Sequence, residues 1–194
     1  MIRYRPIKGS DIPQIVELYA QYLNSGEYYS ELIRSWWAEG AYQGYAAVQD
    51  GAMIGLMTVR RGIAFTYPHP ELEAELSLVV GDQPVANCDA LLVLPEHRHE
   101  GVAGKLAGKI LKLLMEEDYR YFLSEVWIYP DGTVPASSVF ESFGRLVWQR
   151  QIDGFYRDLE RYGMSCPICG SRCVCGARID LMEIEKTRGA EGPG

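Results

Sequence analysis

Between Asp89 and Glu117 the chain passes from a strand pattern to a helix pattern within a dozen residues. Asp89–Leu94 is a compact apolar run of strand length. Val102–Glu117 carries Leu106, Ile110, Leu113 and Leu114 on one helical stripe. The turn between them reads Pro95-Glu96-His97-Arg98-His99-Glu100-Gly101-Val102-Ala103-Gly104-Lys105. A helix start leaves backbone N–H groups without partners, and the helix dipole makes that end attractive to anions. Glycines there let a phosphate approach the backbone. The alternative is a plain strand-turn-helix whose glycines serve packing.

The flanking segments extend the pattern. Ile2–Ile7 reads as a short strand. Ser10-Asp11 then offers an N-cap, and Pro13 fits a first helical turn, with Ile12, Ile15, Val16, Tyr19, Tyr22 and Leu23 at helical spacing. A second helix is predicted from Ser30 to Glu39, with Trp36 and Trp37 as core anchors. Tyr45–Gln49 and Met53–Arg60, joined by Asp50-Gly51, read as a hairpin. Pro68, Pro70 and Pro84 break residues 62–87 into loops around Leu72–Val80, which fits helix or strand. Phe122–Ile128 is a further strand, Pro135–Phe143 a short helix, and Leu146–Ile152 and Arg178–Ile184 are late strands. Strands interleaved with helices make a mixed α/β sheet covered by helices.

The chain has 194 residues, 47% of them hydrophobic and 23% charged, which describes a globular domain rather than a disordered chain. No apolar run approaches the roughly 18 residues of a membrane span. No secretory leader is visible, so the expected location is cytoplasmic. Net charge is −7 with no basic stripe, which argues against nucleic-acid binding. Residues 1–186 are read as one domain and 187–194 as a disordered tail.

Four of the five cysteines, Cys166, Cys169, Cys173 and Cys175, lie within ten residues. In a chain without a secretion signal this spacing reads as a metal site, inserted at 164–177, rather than a disulfide framework. Four thiolates without an open position suit a structural zinc, with iron as the alternative. Cys88 reads as a lone buried thiol.

Val93, Pro95, Arg98, Gly101 and Ala103 resemble, position by position, the V-x-P-x-x-R/Q-x-x-G-x-G/A motif of the GNAT superfamily of acyl-CoA-dependent N-acetyltransferases. The resemblance covers most of residues 2–185. It implies a GNAT fold: a mixed, mostly antiparallel sheet of about seven strands flanked by four helices, with strands four and five splayed. It implies acetyl-CoA as cosubstrate, its pyrophosphate on the backbone of Arg98, His99, Glu100, Gly101, Val102, Ala103, Gly104 and Lys105, and its pantetheine arm along Leu92, Val93 and Leu94. The long 62–87 stretch departs from the family and is expected to form an extra strand pair or a flap over the acceptor site. The metal knuckle would lie between strands six and seven, which often border that site in the family.

Acetyl transfer needs an amine freed of its proton and a tolerable leaving group. Glu125 interrupts an apolar strand, where a carboxylate is costly unless paired or functional. Glu125-Val126 also resembles the E-V of family members in which that Glu acts as base through water. The competing reading is a structural ion pair. Phe140 stands where many members have a tyrosine that protonates the thiolate, so it can pack against CoA but not donate. Tyr129 is the substitute donor, or else a core-edge residue. His97 and His99 read as solvated. The expected partners are acetyl-CoA and an amine acceptor, with a homodimer left open. The alternatives are an idle acyl-CoA sensor and a zinc-knuckle docking module on a GNAT scaffold.

Overall fold

Asp50 and Gly51 both adopt positive φ (51° and 87°) and close the tight turn between β2 (Tyr42–Gln49) and β3 (Ala52–Arg61). In the computed structural model, which describes residues 1–23, 26–170 and 172–185, this hairpin forms the second and third strands of a seven-stranded sheet. The tail expected at 187–194 lies outside the described residues. The remaining strands are β1 (Arg3–Pro6), β4 (Val85–Val93), β5 (Tyr121–Ile128), β6 (Arg145–Ile152) and β7 (Gly176–Glu183). The sheet order is β1-β2-β3-β4-β5-β7-β6, and every pairing is antiparallel except β4 with β5.

Helices cover both faces. On one, α1 (Ile12–Tyr22) and α2 (Glu27–Ala38) pack Ile15, Tyr19, Tyr29 and Ile33 against the strands, joined by Phe155 and Leu159 of a 3-10 helix. On the other, α4 (Val102–Glu116) and the short α5 (Ser137–Phe140) bury Leu106, Ile110, Leu114 and Phe140 against Phe122 and Val126. The 62–87 stretch becomes a loop followed by α3 (Pro70–Val80), so it is helix rather than an extra strand pair. Among the described residues no helix is long and apolar enough to cross a membrane.

Two irregularities shape the centre. In the β3–β4 register Thr58 pairs with Ala90 and Val59 with Cys88, which leaves Asp89 as an extra residue in β4. Such a bulge re-aims side chains locally. Pairing of β4 with β5 stops after Cys88 and Ser124, although the strands continue to Val93 and Ile128. The two strands therefore part and leave a gap in the sheet.

Candidate active site

α4 follows β4 after a short connection. Gly101 precedes it with a left-handed φ of 76°, a conformation glycine adopts without a Cβ penalty. No side chain caps the helix start, and a Cβ at Gly104 would meet nothing within 4 Å. Val102 is buried and anchors the first turn, while Arg98, His99, Glu100, Gly101, Gly104 and Lys105 are exposed around it and Ala103 is partly so. The predicted phosphate turn is thus exposed, with an uncapped helix start flanked by Arg98 and Lys105, a geometry suited to an anion.

The register of β4 decides which main-chain groups face the gap. The Leu94 N–H donates to the Ile54 carbonyl at 2.9 Å. Opposed residues alternate between bonded and non-bonded pairs. Leu92 therefore turns its main chain toward Leu56 on β3, and Leu91 and Val93 turn theirs toward the gap. Of the expected Leu92–Leu94, Val93 turns its main chain to the gap together with Leu91, while Leu92 and the Leu94 N–H turn toward β3. The Val93 carbonyl accepts from Arg98 Nε at 3.2 Å.

Where the strands part, a cleft of about 150 Å³ opens. Leu91, Ala136 and Phe140 line it, as do Tyr129, Trp127 and Glu125 from the β5 side. Phe140 is buried, its ring 5.8 Å from that of Phe122. Tyr129 stands just beyond β5, and burial raises its phenol above the usual value. Glu125 accepts hydrogen bonds from the Thr66 N–H (2.8 Å) and the Thr66 hydroxyl (2.6 Å), and from the Tyr156 hydroxyl. Burial raises its carboxyl above the usual value, and those donors together with Arg60 oppose the rise without cancelling it. The 62–69 loop is therefore fastened beside the cleft, where Thr66 lines its wall. Arg60 Nη2 donates to Phe65 O at 3.0 Å, and Asn87 Nδ2 donates to Ala64 O.

The sequence reading missed a second carboxylate. Asp89, at the bulge, is fully buried by its side chain and accepts from the Tyr19 and Tyr29 hydroxyls, the latter at 2.6 Å. Arg60 Nε lies 3.6 Å from it, and its guanidinium sits 4.2 Å from the centre of the Trp36 ring. The test that singled out Glu125, an acid inside an apolar strand, applies equally to Asp89. Thr66 and Tyr156 carried no such signal.

The four cysteines converge as predicted. Their sulfurs all lie within 4.8 Å of one another, with Cys169 and Cys175 at 3.5 Å and Cys166 and Cys175 at 4.0 Å. Tetrahedral Zn–S bonds of about 2.3 Å imply S···S spacings of about 3.8 Å. The Ile168 N–H donates to Cys166 Sγ at 3.4 Å, and the N–H groups of Val174 and Cys175 serve Cys169 and Cys173. Burial pushes the Cys173 thiol up to about 12, a cost that a bound cation would offset. The donor set fits a four-thiolate metal ion.

The Acetyltransferase (GNAT) family pattern matches residues 12–144, and the chain belongs to that family. It is a GNAT-family acetyltransferase. Comparison with curated proteins gives no match. Among solved structures, Arabidopsis thaliana NAA60 in complex with a bisubstrate analogue superposes with a TM-score of 0.67 at 20% identity, covering 95% of this chain and 99% of that one. The same plant protein with acetyl-CoA gives the same values. The NatC complex bound to Gag peptide and CoA gives 0.64 at 15% identity, with 95% and 99% covered. The ribosomal-protein-S18-alanine N-acetyltransferase from Escherichia coli gives 0.62 at 14%, with both chains fully covered. At these identities the likeness is one of fold.

Proposed function

We propose that the chain moves an acetyl group from acetyl-CoA to a primary amine by direct attack in a ternary complex. The observation that carries this is the gap itself. β4 and β5 part, an uncapped helix start follows β4 in the chain, and a half-buried carboxylate faces the cleft between the strands. The pyrophosphate is held by the N–H groups of Gly101–Gly104, and the pantetheine arm pairs with the main chain of Leu91 and Val93. Arg98 leaves the Val93 carbonyl to meet the phosphates.

An ammonium cannot attack a thioester. Its proton passes through a water to Glu125, and the amine nitrogen then bonds to the acetyl carbon. The tetrahedral adduct gives the second proton of its nitrogen to water and collapses with cleavage of the C–S bond, leaving the neutral amide and the CoA thiolate. A thiol of pKa about 8.5 leaves as its anion near neutral pH, so Phe140 in place of a tyrosine is compatible with turnover. Tyr129 donates to the departing sulfur as a secondary contribution. The cysteine knuckle holds a structural zinc.

The acceptor class to test first is the free N-terminus of a peptide, since one relative bears Gag peptide and another is named for the alanine of ribosomal protein S18. Turnover is read as release of free CoA thiol with a panel of peptides, lysine, polyamines and amino acids. Steady release that depends on one of these amines supports the reading. Tight acetyl-CoA binding without release for any amine assigns the fold a sensing role instead.

A further inference from the structure

The segment from Asp153 to Cys175 joins β6 to β7, which are adjacent antiparallel strands that a turn of about two residues could connect. A connection this long costs closure entropy and needs its own reason to stay ordered. Its contacts run to the wall of the cleft. The Tyr156 N–H donates to the Cys175 carbonyl at 3.4 Å, and the Tyr156 hydroxyl holds Glu125. The Phe155 carbonyl accepts from the Tyr67 hydroxyl, next to Thr66, which also holds Glu125. Tyr162 stacks on Tyr67 at 5.2 Å between ring centres and meets Tyr28 of α2 at 5.6 Å. At Gly26, with φ of 150°, a Cβ would come within 2.5 Å of the Gly163 carbonyl oxygen.

Both partners of Glu125 are thus anchored on the block that ends in the cysteines. Cys166, Cys173 and Cys175 are buried in the same core as Phe155, Tyr156 and Leu159. We infer that the cysteine knuckle is a metal-dependent support for the acceptor wall: metal held by the four thiolates fixes Tyr156 and the 62–69 loop, and through them the orientation of Glu125. Tyr156 is a positioning residue for Glu125. Loss of the metal loosens this wall while the α4 turn, built on the opposite face of the sheet, stays intact. The inference rests on the reading of Glu125 as base, and the tests separate the two.

The protein is purified with zinc, stripped with a chelator under reducing conditions, and reloaded with zinc alone. Acetyl-CoA affinity should change less than about twofold, whereas kcat should fall at least about tenfold on stripping and return on reloading, since small misplacements of a catalytic group have large kinetic effects. Hydrogen exchange should speed up in 153–175 and also in 62–69, but not in α4. Exchange confined to 164–176, or a kcat indifferent to zinc, overturns the inference. If no amine is accepted, the exchange pattern alone decides it.

Tyr156→Phe provides the second arm. The groups facing Glu125 are Arg60 from β3, Cys88 from β4, Tyr29 from α2, Thr66 and Tyr67 from the loop, and Tyr156. Removing one donor to the ionised carboxylate should move the acid limb of the kcat profile to higher pH with KM for acetyl-CoA unchanged. An unmoved profile removes the positioning role. A full rate in Glu125→Gln would overturn the base assignment instead, and leave the zinc-dependent exchange pattern to stand or fall by itself.

Discussion

Glu125 is held by more donors than a carboxylate needs merely to be tolerated. Two come from Thr66 and one from Tyr156, yet burial still raises its carboxyl. A carboxylate with a raised pKa is a better proton acceptor, and its acid limb lies above the ordinary range. Glu125→Gln should lower kcat by about 10²-fold near neutral pH, and the deficit should shrink as pH rises and free amine accumulates. Tyr129→Phe should cost only a few-fold by the argument that sulfur leaves without full protonation. Rates for both variants across about pH 6–9 check the order, and a larger loss in the tyrosine variant would reverse the roles. Glu125 was legible in the sequence because an acid inside an apolar strand needs a reason. Its donors were not, because Thr66 and Tyr156 reach it only through the folding of two long connections. The bulge at Asp89 was equally hidden, since a single extra residue leaves no mark on an apolar run.

Elements with a clean period were the legible ones. The stripe of α4 and the Asp50-Gly51 turn both stand where the pattern placed them. α3 was ambiguous for a physical reason. Leu72, Leu76 and Val80 are buried at helical spacing, but Leu78 is 88% exposed and Val79 40%, so the apolar residues do not confine themselves to one stripe. The 3-10 helix from Phe155 to Tyr162 gave no reading at all, as its buried Phe155, Tyr156 and Leu159 sit among charged residues over fewer than three turns. Within α4, Ile110 is fully buried between the helix and the sheet. Ile110→Ala should destabilise the fold by about 2–5 kcal/mol, read from the midpoint of a urea unfolding curve at constant slope. A change under about 0.5 kcal/mol would mean that α4 does not hold the core, because losses that small belong to surface positions.

At the scale of the molecule, the sheet divides the labour. One face carries α4 and its exposed, uncapped start, and the other carries the aromatic block, the second carboxylate and the cysteine knuckle. The gap between β4 and β5 connects them. Protein purified reduced and without chelator should contain about one zinc per chain, and its complete absence by elemental analysis would refute the metal assignment. The family resemblance at Val93–Ala103 made the order of strands and helices legible from sequence, while the coupling of the knuckle to the cleft depended on where Tyr156 and Tyr67 turn. The central claim is that acetyl-CoA binds at the start of α4. Gly104→Asp tests it without disturbing the fold. The site is open, the backbone there is helical, and an acid in the first helical turn is favourable to the helix. Calorimetric titration with acetyl-CoA should show tight binding to the native protein and at least about tenfold weaker binding to the variant, roughly 1.4 kcal/mol, with an unchanged melting temperature. Equal affinity for the two, or no binding to the native chain, would contradict the account.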